Sequence, residues 1–204
     1  MLLTSAGMEV NKEILKILPK PPKELKLTHI TTASIDEKNK DYFHKETQIM
    51  KELGFQVTEA DISGMTEGKV RKLLKDTNII YVQGGNTYYL LKSIKESGFD
   101  KVVKELLEKG VIYIGVSAGS YVAGPTIEQA DWIHEHNRFG LTDLTAMNLV
   151  PFLLMVHYVP EYKSILKEKI QKSKYEFKIL TDDQAILVKG DNYKLVGKGP
   201  EINI

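Results

Sequence analysis

The chain has 204 residues, of which 42% are hydrophobic and 27% charged, a profile that suits one compact globular domain over residues 1–204. Its 28 basic and 27 acidic side chains nearly cancel, so charge gives no reason to expect nucleic acid or an anionic membrane as partner. There is no cysteine, which excludes disulfides, thiol nucleophiles and cysteine-held zinc.

The opening MLLTSAGMEVNKEILK has no basic leader and too short an apolar stretch for a secretion signal. No apolar run approaches the ~20 residues that span a bilayer, and the expected location is the cytoplasm. Leu2–Leu3 begins a first strand, and Glu9–Leu18 reads as a helix with Ile14, Leu15 and Leu18 on one side. The proline-rich stretch Pro19–Lys26 leads to a strand candidate at Leu27–Thr31. A helix over Asp36–Leu53 stops at Gly54, and the next strand begins at Phe55–Val57. Thr66–Lys75 is helical, with Val70, Leu73 and Leu74 apolar. Ile79–Val82 reads as a short buried strand ending in Gly84-Gly85, and Thr87–Ser97 as a helix stopped at Gly98. Asp100 is expected to cap a solvated helix at Lys101–Lys109, which Gly110 ends. Val111–Ile114 is a buried strand that runs straight into Gly115.

The tail changes character. After a helix at Glu161–Lys172 come three short runs, Phe177–Leu180, Ala185–Val188 and Lys194–Val196. Lys189-Gly190-Asp191-Asn192 reads as a hairpin turn between the last two. The alternation predicts an α/β fold with a mostly parallel sheet and an antiparallel C-terminal edge.

Gly115-Val116-Ser117-Ala118-Gly119 matches G-x-S-x-G directly after a predicted strand. A strand that turns sharply into a helix pushes the middle side chain out at the carboxyl end of the sheet. Residues two before and two after must then be small, as Gly115 and Gly119 are. Ser117 is the candidate nucleophile, and the N–H of Ala118 a candidate oxyanion donor.

A serine hydroxyl needs a base within hydrogen-bond reach. Of five histidines, His157 is the best placed, because it ends the apolar run Val150–Val156 and so falls at a strand end. His134 and His136, in DWIHEH, form an H-x-H that reads as a polar loop rather than a metal site, and no cofactor is expected. His29 and His44 have no evident partner. Asp182 and Asp183, after Phe177–Leu180, are the leading candidates for the acid that orients the base, with Asp131 and Asp143 as upstream alternatives. In Gln83-Gly84-Gly85-Asn86-Thr87, two glycines between a strand and a helix bring backbone N–H groups close to a ligand, and Asn86 is a natural helix N-cap. The loop has neither of the common phosphate-binding spacings.

QGGNTYYLLK, VIYIGVSAGSYVAGPTI and VHY, taken together, resemble the peptidase E family of serine dipeptidases, which is related to cyanophycinases. The resemblance runs from about Ile79 to Val188. It implies a flavodoxin-like, class I glutamine amidotransferase-like three-layer fold. It also implies a serine peptidase acting on short peptides, as a dipeptidase or isopeptidase, through a Ser–His–acid triad and an acyl-enzyme. By motif, Ser117 matches the nucleophile, His157 the base, and Gly85 with Ala118 the oxyanion hole. Asp182 falls where the family commonly has glutamate, and Asp131 matches an aspartate important in some members. The family's substrate-binding arginine after the base is missing from Val159–Ser164, which leaves Arg138 or Lys163 as substitutes.

Two other readings are open to the residues: an α/β-hydrolase esterase, which would need an acid between Ser117 and His157, and a binding protein that keeps the fold without activity. The sequence carries no sign of oligomeric state.

Overall fold

The computed structural model describes residues 1–34, 41–133 and 135–204, with Asp41, Tyr42 and Phe43 described by backbone alone. The strands are β1 (Leu2–Thr4), β2 (Lys26–Ile30), β3 (Gln56–Ala60), β4 (Ile79–Val82), β5 (Ile112–Val116), β6 (Phe152–Met155), β7 (Glu176–Ile179), β8 (Gln184–Lys189) and β9 (Asn192–Gly197). The helices are α1 (Asn11–Lys16), α2 (Asp41–Glu52), α3 (Glu67–Leu74), α4 (Thr87–Ser97), α5 (Phe99–Glu108), α6 (Ala118–Tyr121) and α7 (Lys163–Lys172).

Among the described residues, seven strands form one sheet in the order β3-β2-β4-β5-β1-β8-β9. The first five are parallel, while β8 runs antiparallel to β1 and β9 to β8. The fold is therefore α/β, with a mostly parallel sheet and an antiparallel C-terminal edge. The side chains show why the sheet needs cover on both faces. In β4 all four residues are buried, and they alternate: Ile79 and Tyr81 pack on one face, Ile80 and Val82 on the other. The first face is covered by α1 and α2 through Ile14 and Met50. The second is covered by α3, α4 and α5 through Val70, Leu74, Leu91, Ile94, Phe99 and Val103. Each such buried aliphatic side chain contributes about 1.5–3 kcal/mol.

β1 has only three residues, yet it lies inside the sheet between β5 and β8, fully buried. Thr4 O accepts from Ser117 N at 3.1 Å and from Ser120 Oγ at 2.8 Å, so β1 pins the turn that follows β5.

Three expectations need correction. Asp100 is not the cap of α5; Gly98, with φ 69°, closes α4 and opens α5, and Asp100 sits in the first turn. The run Phe177–Leu180 does not join the antiparallel edge. It forms β7, parallel to β6 in a separate two-stranded sheet. That small sheet packs on α7 through Met155, Leu166 and Ile179, so the strand end that carries His157 belongs to it rather than to the main sheet. The expected helix Glu9–Leu18 splits into a 3₁₀ turn at Gly7–Val10 and the short α1. The residues 36–40 assigned to the start of the long helix lie outside the described residues, as does His134. Among the described residues no helix is long and apolar enough to cross a membrane.

Candidate active site

Ser117 occupies the junction between β5 and α6 with φ 49° and ψ −110°. A side-chain-bearing residue in the left-handed half of backbone space costs of order 1–3 kcal/mol, so the surroundings must hold it there. They do so by close packing. A Cβ on Gly119 would lie 2.1 Å from Val82 O, and one on Gly115 would lie 2.6 Å from Gly119 O. Only glycine fits at either position, which is the physical content of the two flanking glycines in the motif. Tyr113, buried in β5, donates its hydroxyl to Gly119 O at 2.6 Å and ties the short helix down.

The loop after β4 lies directly against this turn. A Cβ on Gly84 would come within 2.9 Å of Ser117 Cβ. Gly85 has φ 137° and is pressed against Ala33 O, which also accepts Asn86 N at 2.9 Å. Asn86 caps α4 by accepting from Tyr89 N at 2.9 Å. The Gly84-Gly85 backbone is thereby fixed beside the Ser117 side chain.

His157 follows β6 and has φ 55°, which turns its ring back toward β5. Its Nε2 stands 3.0 Å from Ser117 Oγ, and its Nδ1 stands 2.6 Å from Asp182 Oδ1. The hydrogen bond from His157 holds the Asp182 carboxyl below its ordinary value, with a smaller contribution from Ser5. A hydroxyl, an imidazole and a carboxylate thus stand in one hydrogen-bonded row. That is the arrangement in which a base takes a hydroxyl proton while an acid holds the ring.

The other predicted residues fall elsewhere. Asp131 is exposed, ends a 3₁₀ turn and does not line the cleft around Ser117. Asp143 is ion-paired to Lys95 at 2.6 Å on a different face, which pulls its carboxyl down to about 2. The acid beside the base therefore follows it in the chain, unlike the esterase order. Arg138 is exposed, with its guanidinium 5.4 Å from the centre of the Phe139 ring, and Lys163 is exposed at the start of α7. Neither lines the cleft.

The cleft has a volume of about 490 Å³. Met8, Ile49, Ile133 and Met155 give it apolar walls, and Glu9, Lys45, Glu46 and Glu135 bring charge. Glu135 accepts from the N–H and the hydroxyl of Thr87, joining the loop after Asp131 to the start of α4. Glu46 is buried, accepts from Met8 N and Tyr81 Oη at 3.0 Å each, and has its carboxyl pushed up by burial. Gln83 bonds to His29 Nε2 at 2.8 Å, so a buried polar network backs the glycine loop. Sequence reasoning missed Ser5, Glu46 and Glu135. None of the three carries a motif, and the partners of Ser5 lie far away in the chain. Among the described residues, no group of three or more His, Asp or Glu side chains is placed to hold a metal ion.

Comparison with known proteins shows the family of the chain. The sequence profile of peptidase family S51 matches residues 1–196. An uncharacterized peptidase of Listeria monocytogenes is 32% identical over 168 residues, which span 80% of this chain and 82% of that one. A peptidase E of a Nostoc species is 27% identical over 148 residues, 71% of this chain and 58% of its own. A crystal structure from Listeria monocytogenes, solved as a peptidase E candidate, superposes with a TM-score of 0.86 at 28% identity and covers 97% of this chain and 98% of its own. The protein is a serine-type peptidase. The chain belongs to peptidase family S51, whose members include peptidase E.

Proposed function

We propose that the chain hydrolyses short peptides, as a dipeptidase or isopeptidase, with Ser117 as nucleophile, His157 as base and Asp182 as the acid that orients the base. The observation that carries this reading is the continuous row from Ser117 Oγ to His157 Nε2 at 3.0 Å and from His157 Nδ1 to Asp182 Oδ1 at 2.6 Å.

In the first step Ser117 Oγ bonds to the scissile carbonyl carbon as its proton passes to His157 Nε2. The N–H groups of Gly85 and Ala118 receive the developing oxyanion; the first N–H groups of a helix have no acceptor within it. His157 then gives the proton to the leaving amine as the C–N bond breaks, which leaves an acyl ester on Ser117. Water, deprotonated by His157, attacks that ester, and the proton returns to Ser117 as the acid product leaves. Asp182 stays ionised throughout, consistent with its lowered proton affinity. Asp131 is too peripheral to be preferred as the acid, and substrate contacts fall to the cleft walls rather than to Arg138 or Lys163.

The test is labelling by a fluorophosphonate probe together with hydrolysis of a panel of dipeptides and aminoacyl amides. Both activities are expected in the wild type and neither in Ser117→Ala. Hydrolysis that persists in a clean Ser117→Ala preparation overturns the reading.

A further inference from the structure

Ser5 is fully buried just beyond β1, while the side chains of His157 and Asp182 are 40% and 58% exposed. Its hydroxyl meets both. Ser5 Oγ lies 2.6 Å from Asp182 Oδ1, accepts the backbone N–H of His157 at 2.8 Å, and stands 3.3 Å from His157 Nδ1. A serine hydroxyl has one proton and two lone pairs. The short contact to an ionised carboxylate takes the proton, because a carboxylate only accepts. The lone pairs are left for the backbone N–H and for Nδ1.

Two consequences follow. Nδ1 faces two acceptors, Asp182 Oδ1 and Ser5 Oγ, so the ring proton belongs on Nδ1. Nε2 is then the bare nitrogen, and it faces the Ser117 hydroxyl. In addition, the left-handed backbone at His157 is held through its own N–H, which keeps the ring turned back toward β5. An exposed carboxylate on a short aspartate side chain has other rotamers open to it, and a buried donor just past an interior strand removes that freedom.

Building on Ser117 as nucleophile, we propose that Ser5 is a positioning residue of the active site, which fixes the rotamer of Asp182 and the tautomer and backbone of His157. It touches no reacting atom.

The experiment reads the rate at which a fluorophosphonate labels Ser117, which needs no knowledge of the natural substrate. Ser5→Ala is expected to slow labelling about tenfold, a fraction of what a general base contributes. In an Asp182→Ala background the same change is expected to cost about threefold or less, because part of what Ser5 holds has gone. A purely structural role would cost equal factors in both backgrounds, and equal factors overturn the proposal, as does wild-type labelling by Ser5→Ala. Should Ser5→Ala fail to fold, Ser5→Cys keeps the shape with a weaker donor, and the same comparison of backgrounds applies. The two proposals fail separately. Labelling that survives Ser117→Ala removes the nucleophile, whereas labelling that requires Ser117 but ignores Ser5 removes only the positioning role.

Discussion

The two halves of the proposed active site are held by different physics. On one side, Ser117 is fixed by backbone packing: Gly115 and Gly119 sit where any Cβ would strike a carbonyl, and Gly84 lies hard against the serine. On the other side, His157 and Asp182 project from a small two-stranded sheet, are partly exposed, and are held by hydrogen bonds. Close-packed interiors yield little, so errors on the first side are paid in folding. Errors on the second side are expected to cost catalysis and to leave the fold intact.

The largest expected effect removes what both halves serve. Ser117→Ala should lower peptide hydrolysis at least ~10⁴-fold with an unchanged thermal midpoint, measured by dipeptide turnover and calorimetry. A smaller loss would mean that the packed half is not where the chemistry begins. Next comes the hydrogen-bonded half. Asp182→Asn should cost about 10²-fold or more in kcat, with stability nearly unaffected, while Asp131→Asn and Arg138→Ala should stay within about twofold. Equal losses at Asp131 would move the orienting acid away from β7.

The packed half should respond in the opposite currency. Gly119→Ala places a methyl group 2.1 Å from Val82 O, so the strand or the turn must shift. The expected cost is about 1–3 kcal/mol of stability, read from urea denaturation, with a fall in activity that follows the displaced serine. A variant of normal stability would show that the junction is looser than its packing indicates.

The smallest effect concerns the polar network behind the glycine loop. Burial lowers the proton affinity of His29 below its ordinary 6.5, although Gln83 opposes the shift. The unfolded chain therefore binds the proton first as pH falls, and stability declines below 6.5 toward the folded value. Glu46 acts in the other sense: its raised affinity means that stability falls as pH rises above 4.5. The measurement is the difference between wild type and His29→Gln in denaturant midpoint at ~pH 5 and ~pH 7. The wild type should lose more on acidification, and parallel losses would remove His29 from the account.

Much of this was legible in the residues because it is local. β4 and α4 begin and end where the apolar run and the Asn86 and Gly98 signals put them, and Ser117 announces itself through its glycines. Asp182 was legible as one of several acids at strand ends. Ser5 was not, because its partners lie 152 and 177 residues away and its own neighbours carry no motif. The placement of β7 failed for a related reason. A short apolar run states that a strand exists but not which edge it will join, and here β6 offered a parallel edge outside the main sheet.

The position of β1 also bears on how the protein is made. Leu2 pairs with Ile114 on one side and with Leu187 on the other. During synthesis this strand leaves the ribosome long before either neighbour exists, and its contacts are among the most distant in the chain. Such closures are slow and leave open edges until the partners arrive. The sheet can gain its centre only after β5 has been translated, and Ser117 can meet His157 and Asp182 only later still. A chain that stops short of Asp182 therefore lacks the proposed Ser117–His157–Asp182 row, and on that proposal hydrolysis is expected only once the chain through Asp182 is free to fold.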